Sequence, residues 1–480
     1  MLKIRLGSED TTLAKLRTLM VGEALKIKFP DLDLEYCFRP SHSDLNLLNV
    51  DAIIGKLSEM DFQSQSLKKV FPVLNRSDQR EIILFKKTAT LKESEELNIL
   101  CTEAIHTENT SNFLNEFLPD SLRKRKTKFT SKSEDVALLF NGFLDSNMDA
   151  LAIPKNDLDL LLAPVMSQAY LDELESCRSL ARQILKDSLF LIPPLSYCPN
   201  APLEGITGVR ILTMSESIRH CLLALIDTEA DFVAREELTI ASQYRDVNEK
   251  IHVSVLVRPY GKIEYGRGKN YYHCRLKDSC SDKFYIHEIW PPNAKMAPRQ
   301  RERLEYKIPA YSDLYISRGY AFPLDLMPDP TKQIVWAAGL STWKDLSNRN
   351  IWVHGTSDGL GESEPMKLSI LMERKLNFVK LSHTDSETSH STFPLISTYR
   401  LSYPEIPIDF DPSKIKAAFW RSSTEFDIVT RKFPELKKVI HFVSPGSTYT
   451  KIKNELESDP YLRLHISLSF DVWRTQNIIF

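Results

Sequence analysis

KIRLGSEDTTLAKLRTLMVGEALKI, residues 3–27, sets the reading of the whole chain. Apolar and charged residues alternate up to Leu6, Gly7-Ser8 turn the backbone, and Leu13, Leu16, Met20 and Ile27 then recur at helical spacing. A short strand therefore runs through a tight turn into a helix, with Thr11 or Thr12 as its cap. Free N–H groups at such a terminus make an anion site. Glu9 and Asp10 stand there instead; their charges suit the helix dipole and repel an anionic ligand. These residues favour a capped helix with no ligand.

Outward from that stretch the alternation continues. DLDLEYCF, VDAIIG and EIILFKK read as strands up to about residue 85, the pattern of a mainly parallel, doubly wound sheet. LNILCTEA, a helix over 109–117, DVALLFNGFL as a helix and MDALAI as a strand repeat it. SLRKRKTKFTSK, residues 121–132, is the one concentrated basic run. It reads as a solvated loop, with a nucleic-acid or partner patch as the alternative. Residues 165–190 read as helix, and FLIPPLSYCPNAPLEG is a proline-rich crossing. ESIRHCLLALIDTEADFVAREEL follows as helix-turn-helix, and the alternation around PYGK predicts an antiparallel hairpin. PPNAKMAPRQRER, residues 291–303, reads as a linker. Beyond it NIWVHG, MKLSILMERKL, AAFW and KKVIHFVSPGST return to αβ alternation.

The length of 480 residues allows two to four domains. A net charge of -2 and a pI near 6.6 supply no overall field for nucleic acid or membrane. No apolar run reaches the length of a membrane span, and the first residues lack the apolar core of a signal peptide, so a cytoplasmic protein is expected. Seven scattered cysteines argue against a disulfide framework. Cys274 and Cys280 with His273 match no common zinc spacing, and no metal is expected.

Over roughly residues 1–290 the elements, in order, resemble hydroxymethylbilane synthase, or porphobilinogen deaminase. The family's opening turn G-[TS]-R-x-S-x-L-A stands here as Gly7-Ser8-Glu9-Asp10-Thr11-Thr12-Leu13-Ala14. FPDLDLE is similar to P-x-L-x-[VF]-E, and SHSD (Ser41 to Asp44) to T-x-G-D. VDAIIGKLSE falls on D-x-[AV]-V-H-S-x-K-D, MDALAIPKNDLDLL on Y-D-A-I-I-L-A-x-A-G-L-x-R-L, and PNAPLEG on G-Q-G-A-L-x. From about residue 345 to 456 the chain resembles one lobe of uroporphyrinogen-III synthase, through STYRL, AAFWRSSTEF and SPGST.

The resemblance implies an α/β fold of two doubly wound, periplasmic-binding-protein-like lobes and a small α+β domain, followed by a flavodoxin-like αβ lobe. The units expected are 1–88 with 190–210, then 89–189, then 211–290, a linker over 291–310, and a synthase-like lobe over 311–480. The family's catalytic aspartate falls on Glu59, and substrate contacts fall on Thr11 and Thr102. In the synthase-like lobe they fall on Tyr399, Ser422, Ser423, Thr424 and Thr448. The arginines that pair the carboxylates of the family's substrate are replaced: Glu9, Leu139 and Leu160 stand in three of their places, and Ser133-Glu134-Asp135 replaces R-G-N. No cysteine lies between Cys221 and Cys274 to carry the family's dipyrromethane, so no cofactor is expected.

Two readings follow. One is a divergent tetrapyrrole (haem) biosynthesis protein with its deaminase chemistry impaired or lost. It would act on porphobilinogen or a linear tetrapyrrole beside enzymes of the same pathway, with neither nucleic acid nor membrane as partner. The other is a non-enzymatic, two-lobed binding or scaffold protein derived from that fold.

Overall fold

The computed structural model describes the chain apart from residues 1, 41–48, 61–69, 92–93, 133–134, 165–170, 245–250, 270–271, 277–279, 292–299, 387–391, 403–410, 457–462 and 480. The SHSD motif and most of the 291–303 linker thus lie outside the described residues.

Strand β1 (Lys3–Glu9) leads into helix α1 (Thr12–Lys28) as its sequence predicts, and Thr11 is the cap: its hydroxyl accepts from Ala14 N. β1 pairs in parallel with β2 (Asp33–Arg39) and β3 (Ala52–Lys56). β10 (Thr207–Ile211) lies antiparallel between β3 and β4 (Val70–Val73), giving the order β2-β1-β3-β10-β4. A second sheet repeats the plan. β6 (Glu96–Thr102) pairs in parallel with β7 (Lys126–Lys132) and β8 (Ala150–Pro154). The antiparallel β5 (Glu81–Lys86) separates β8 from β9 (Ser188–Leu191), in the order β7-β6-β8-β5-β9. Its helices are α2 (Thr107–Phe117), α3 (Asp120–Arg123), α4 (Val136–Asp145), α5 (Lys155–Leu162) and α6 (Leu171–Asp187).

In both sheets three consecutive parallel strands stand in the order second, first, third, followed by an antiparallel strand that enters from the other lobe and by a fifth strand at the edge. The chain crosses between lobes twice, over residues 74–80 and 192–206. This is a two-lobed, periplasmic-binding-protein-like arrangement. EIILFKK, read in sequence as part of the first run, is β5 of the second sheet. The basic run is an element rather than a loop: α3 and then β7, the edge strand beside β6. Its alternation explains the difference, since Phe129 packs on the core while Lys126 and Lys128 stay exposed.

Helices α7 (Glu216–Leu223) and α8 (Thr228–Ser242) precede an antiparallel meander of β11 (His252–Arg258), β12 (Gly261–Arg267) and β13 (Tyr272–Leu276). The β11–β12 turn is Pro259-Tyr260, where the sequence places it.

The C-terminal region holds two sheets, one parallel and one parallel apart from its edge strand, rather than one lobe. β14 (Phe284–Tyr285) comes first and pairs with the last strand, β25 (Ile478–Ile479). One sheet is β15 (Ile289–Trp290), β22 (Ala417–Trp420), β23 (Ile440–Val443) and β24 (Leu464–Ile466), with α10 (Ser423–Lys432), α11 (Ser447–Leu456) and α12 (Phe470–Asn477). The other contains β16 (Gln300–Arg303), β17 (Asp313–Ile316), β18 (Val335–Ala337), β19 (Gly355–Thr356), β20 (Phe378–His383) and β21 (Leu395–Ser402), with α9 (Leu340–Ser347). Its order, β16-β21-β20-β17-β18-β19, counts 3-2-1-4-5 across the parallel strands when read from the β19 end, which differs from the flavodoxin order of 2-1-3-4-5.

Two local expectations are corrected in this region. Residues 367–375 form single turns, not a helix. Lys367 has φ +51°, and the carbonyls of Met366 and Lys367 accept from Arg80 and Lys155 instead of from a following helical turn. In NIWVHG only Gly355 joins a strand; Ile351 N instead bonds Leu346 O at the end of α9.

The six-stranded sheet shares its core with the second lobe. Phe85, Phe113 and Phe117 pack with Trp343 and Trp352, whose indole N–H groups donate to Phe117 O and Phe190 O at 3.0 and 2.9 Å. The four-stranded sheet packs on the meander through Ile263, Tyr265, Trp290 and Trp420. No helix among the described residues is long and apolar enough to cross a membrane.

Candidate functional site

The anion site at the start of α1 is filled from within. Asp135, the N-cap of α4 in the second lobe, accepts from Thr12 N at 2.9 Å and Thr12 Oγ1 at 3.2 Å, while its other duty is Ala137 N at 2.9 Å. One carboxylate thus satisfies two helix starts across the lobe boundary. Behind it Arg17 pairs with Asp157 at 2.6 Å, and Lys56 with Glu204 at 2.9 Å; Asn156 Nδ2 donates to Glu204 at 2.7 Å. Burial opposes charge on Lys56, but Asp157 and Glu204 outweigh it and raise its pKa. Leu16 and Leu19 of α1 pack with Leu158 and Leu161 of α5. The groove between the lobes is therefore occupied by the protein's own apolar and paired groups.

Space opens instead where the crossovers meet the meander and the six-stranded sheet. There a cavity of about 370 Å³ is lined by residues 75–80 and Pro194-Leu195, by α8 and β11, and by residues 356–367. Leu195, Val233, Val255 and Leu360 give it an apolar wall. Its arginines are neutralised in place. Arg76 grips Glu237 at 2.7 and 3.1 Å, Arg80 grips Asp78 at 2.9 and 2.7 Å, and Arg258 pairs with Glu364. Burial alone would raise Asp78, but Arg80 and Lys155 hold its carboxyl well below the usual range. Two polar groups are left over. Gln79 is 4% exposed and its Oε1 has no partner. Lys367 stands at the rim with an exposed stem, and its ammonium makes no hydrogen bond or ion pair among the described residues; burial of that end lowers its pKa.

Asp358, also in the wall, accepts from Ser196 N at 3.1 Å and from Ser196 Oγ, tying the six-stranded sheet to the second crossover. Burial pushes its carboxyl up to about 7. The wall therefore carries one acid that is largely neutral below that pH.

The residues singled out in the sequence do not converge. Glu59 ends a 3-10 turn over Leu57–Glu59, its carboxylate without a hydrogen bond among the described residues, near enough to Lys56, Arg17, Asp157 and Glu204 to feel their charges; burial of its carboxyl raises its pKa. Of the basic run, Arg125 bonds Ala89 O and Arg123 bonds Asn348. Thr11 is a cap, and the Thr102 hydroxyl is buried without a partner at the end of β6. Ser422 caps α10 through Glu425 N at 3.2 Å; Ser423 and Thr424 fill its first turn, and Thr448 lies in the first turn of α11. Those four share one sheet edge, whereas Tyr399 is 2% exposed in the other sheet against Tyr320 and His383. The cavity residues Gln79, Arg80, Asp358 and Lys367 were missed. The polar run Ser77–Arg80 between two apolar strands was the available signal. All seven cysteines are free, and among the described residues no group of His, Cys, Asp and Glu could hold a metal ion.

No protein-family model matches the chain, and no curated protein is similar to it. Solved structures similar to it include the AmpR effector binding domain from Citrobacter freundii, at TM-score 0.27 and 12% identity over 47% of this chain and 96% of that one. HinK, a LysR family transcriptional regulator from Pseudomonas aeruginosa, gives 0.27 and 10% over 49% and 70%. A variant of the OxyR regulatory domain from the same organism gives 0.26 and 14% over 47% and 98%. Scores this low place no residue and transfer no ligand.

The hydroxymethylbilane synthase assignment is nevertheless corrected: these structures are regulator domains, and neither a family model nor a curated protein supports it. With it go tetrapyrrole biosynthesis as the function, the scaffold alternative, pathway enzymes and tetrapyrroles as partners, and the exclusion of nucleic acid.

Proposed function

We propose that the chain is a non-enzymatic protein of the cytoplasm that binds a small molecule in the cavity between the crossovers, the meander and the six-stranded sheet. The working units are a first lobe through β4 with β10, a second lobe over residues 81–191, the α7–α8 and meander region, and the C-terminal pair of sheets. The observation that carries the reading is the pairing of an apolar wall with one ammonium outside any ion pair among the described residues, Lys367, and one buried amide oxygen without a partner, Gln79 Oε1. Every arginine in the wall already has its carboxylate, so the ligand that fits has an apolar body and a single anionic head.

Anilinonaphthalene sulfonate has that chemistry and serves as the probe. Saturable fluorescence enhancement by the native protein is expected, with Lys367→Glu weakening it about tenfold through loss of one charged contact. Absence of a saturable site, or equal affinity in the variant, refutes the reading.

A further inference from the structure

The six-stranded sheet ends at an edge strand, β16, whose four residues are all exposed. Arg301 and Arg303 stand two residues apart on it, so their side chains leave the same side about 6.7 Å apart. Both guanidiniums lie over the ring of Tyr320, at 5.2 and 4.0 Å from its centroid. Neither makes an ion pair among the described residues. Arg349 stands close by, over the Phe322 ring at 5.0 Å, and its donors go to the carbonyls of Phe322 and Pro323 rather than to a carboxylate. Burial and the Arg303 charge together lower its pKa.

The two neighbours of Arg349 receive the basic run of the second lobe. Asn348 accepts from Arg123 at 2.6 Å, and Asn350 accepts from Ser121 N at 3.3 Å. Four arginines from distant parts of the chain therefore follow one another: Arg123, Arg349, Arg303 and Arg301. Of the nearby acids, Asp120 pairs with Arg123 within the track, Asp325 accepts from Tyr306 at 2.6 Å and feels the Arg303 charge, and Glu302 lies 3.9 Å from Arg400. Arg301, Arg303 and Arg349 are left without an ion pair among the described residues. Asp345 acts on Arg349 weakly enough that its pKa still falls.

Charge on an edge strand also serves to prevent sheet-to-sheet pairing. That purpose requires neither two guanidiniums on one tyrosine nor a third beside them without a carboxylate. Arginine forks match phosphate oxygens, and stacked guanidinium planes accept nucleobases. We propose that this exposed track binds the phosphate backbone of a nucleic acid. It is an open surface apart from the cavity, and the proposal does not rest on what the cavity binds.

The test is fluorescence polarisation of a labelled single-stranded DNA oligonucleotide, and of its duplex, against the full chain over a salt series. Retention at low salt is expected, with affinity falling linearly in log–log form. Arg301→Ala with Arg303→Ala should reduce the salt slope by about 1.4, two phosphates at about 0.7 each on a single strand. The Arg301→Lys, Arg303→Lys pair keeps the charge and should keep most of the slope. Both residues are exposed, and unchanged circular dichroism shows that the variants fold. No retention of either oligonucleotide, or an alanine variant with the parent's slope, overturns the proposal.

Discussion

Replacing Asp135 by alanine removes the group that joins the two lobes at the start of α1. Three bonds go at once: Thr12 N at 2.9 Å, Thr12 Oγ1 at 3.2 Å and Ala137 N at 2.9 Å. Loss of the α4 cap costs about 1 kcal/mol. The charge-assisted bond to Thr12 N adds about 1.5 kcal/mol, taken at the low end because Asp135 is only half-buried. The expected cost, about 2–3 kcal/mol, falls on the first turns of α1 and α4. All six tryptophans lie at or beyond Trp290, so intrinsic tryptophan fluorescence reports these helices poorly. Hydrogen exchange read by mass spectrometry resolves them: exchange should rise about tenfold in the first turn of α1 and about fivefold in that of α4, at about tenfold for each 1.4 kcal/mol. Asp135→Asn keeps the cap and loses the charge, so exchange should rise mainly in α1. A rise below threefold in α1 for the alanine variant refutes the idea that this carboxylate fills the anion site.

Two further outcomes follow from buried groups. Asp358 has its folded pKa raised to about 7, so its contribution to stability is present below the unfolded carboxylate value and is lost as pH climbs from about 4 through about 7. Asp358→Asn suits the φ of +55° and can still satisfy Ser196; urea melts should show it holding stability on the order of 3 kcal/mol better than the parent at pH 8, and an identical pH dependence would sink the assignment. At Gly355 an added Cβ would lie 2.3 Å from Trp336 Cζ3, and Trp336 is fully buried. Gly355→Ala should therefore lower the urea midpoint by the equivalent of about 2–3 kcal/mol, and an unchanged midpoint would mean that the sheet gives way freely.

The same dependence on distant partners explains what could be read in advance. Strand, turn and helix over residues 3–28 were legible because they follow from local spacing and a cap within three residues. The PYGK hairpin and the αβ alternation that indicated two lobes were legible for the same reason. What failed were segments whose backbone partners come from far away. Residues 367–375 have helical spacing, but Arg80 and Lys155, more than two hundred residues earlier, take their carbonyls. The basic run looked solvated because nothing local announced that β6 would pair with it. The family resemblance drew on apolar skeletons, which many α/β chains share, while the polar residues that define a chemistry were already absent.

By itself the sequence determined the strands and helices whose signals are local, such as those over residues 3–28, since periodicity and capping act over a few residues. It also determined that the anion site of α1 is flanked by acids. Only the tertiary structure decided what occupies that site, because Asp135 is 123 residues from Thr12. Only it placed Gln79, Lys367 and the apolar wall around one cavity, and set Arg123, Arg349 and Arg303 in a row. Such juxtapositions depend on which sheets share a core, and sheet packing is settled by the summed burial of the whole chain rather than by any one segment.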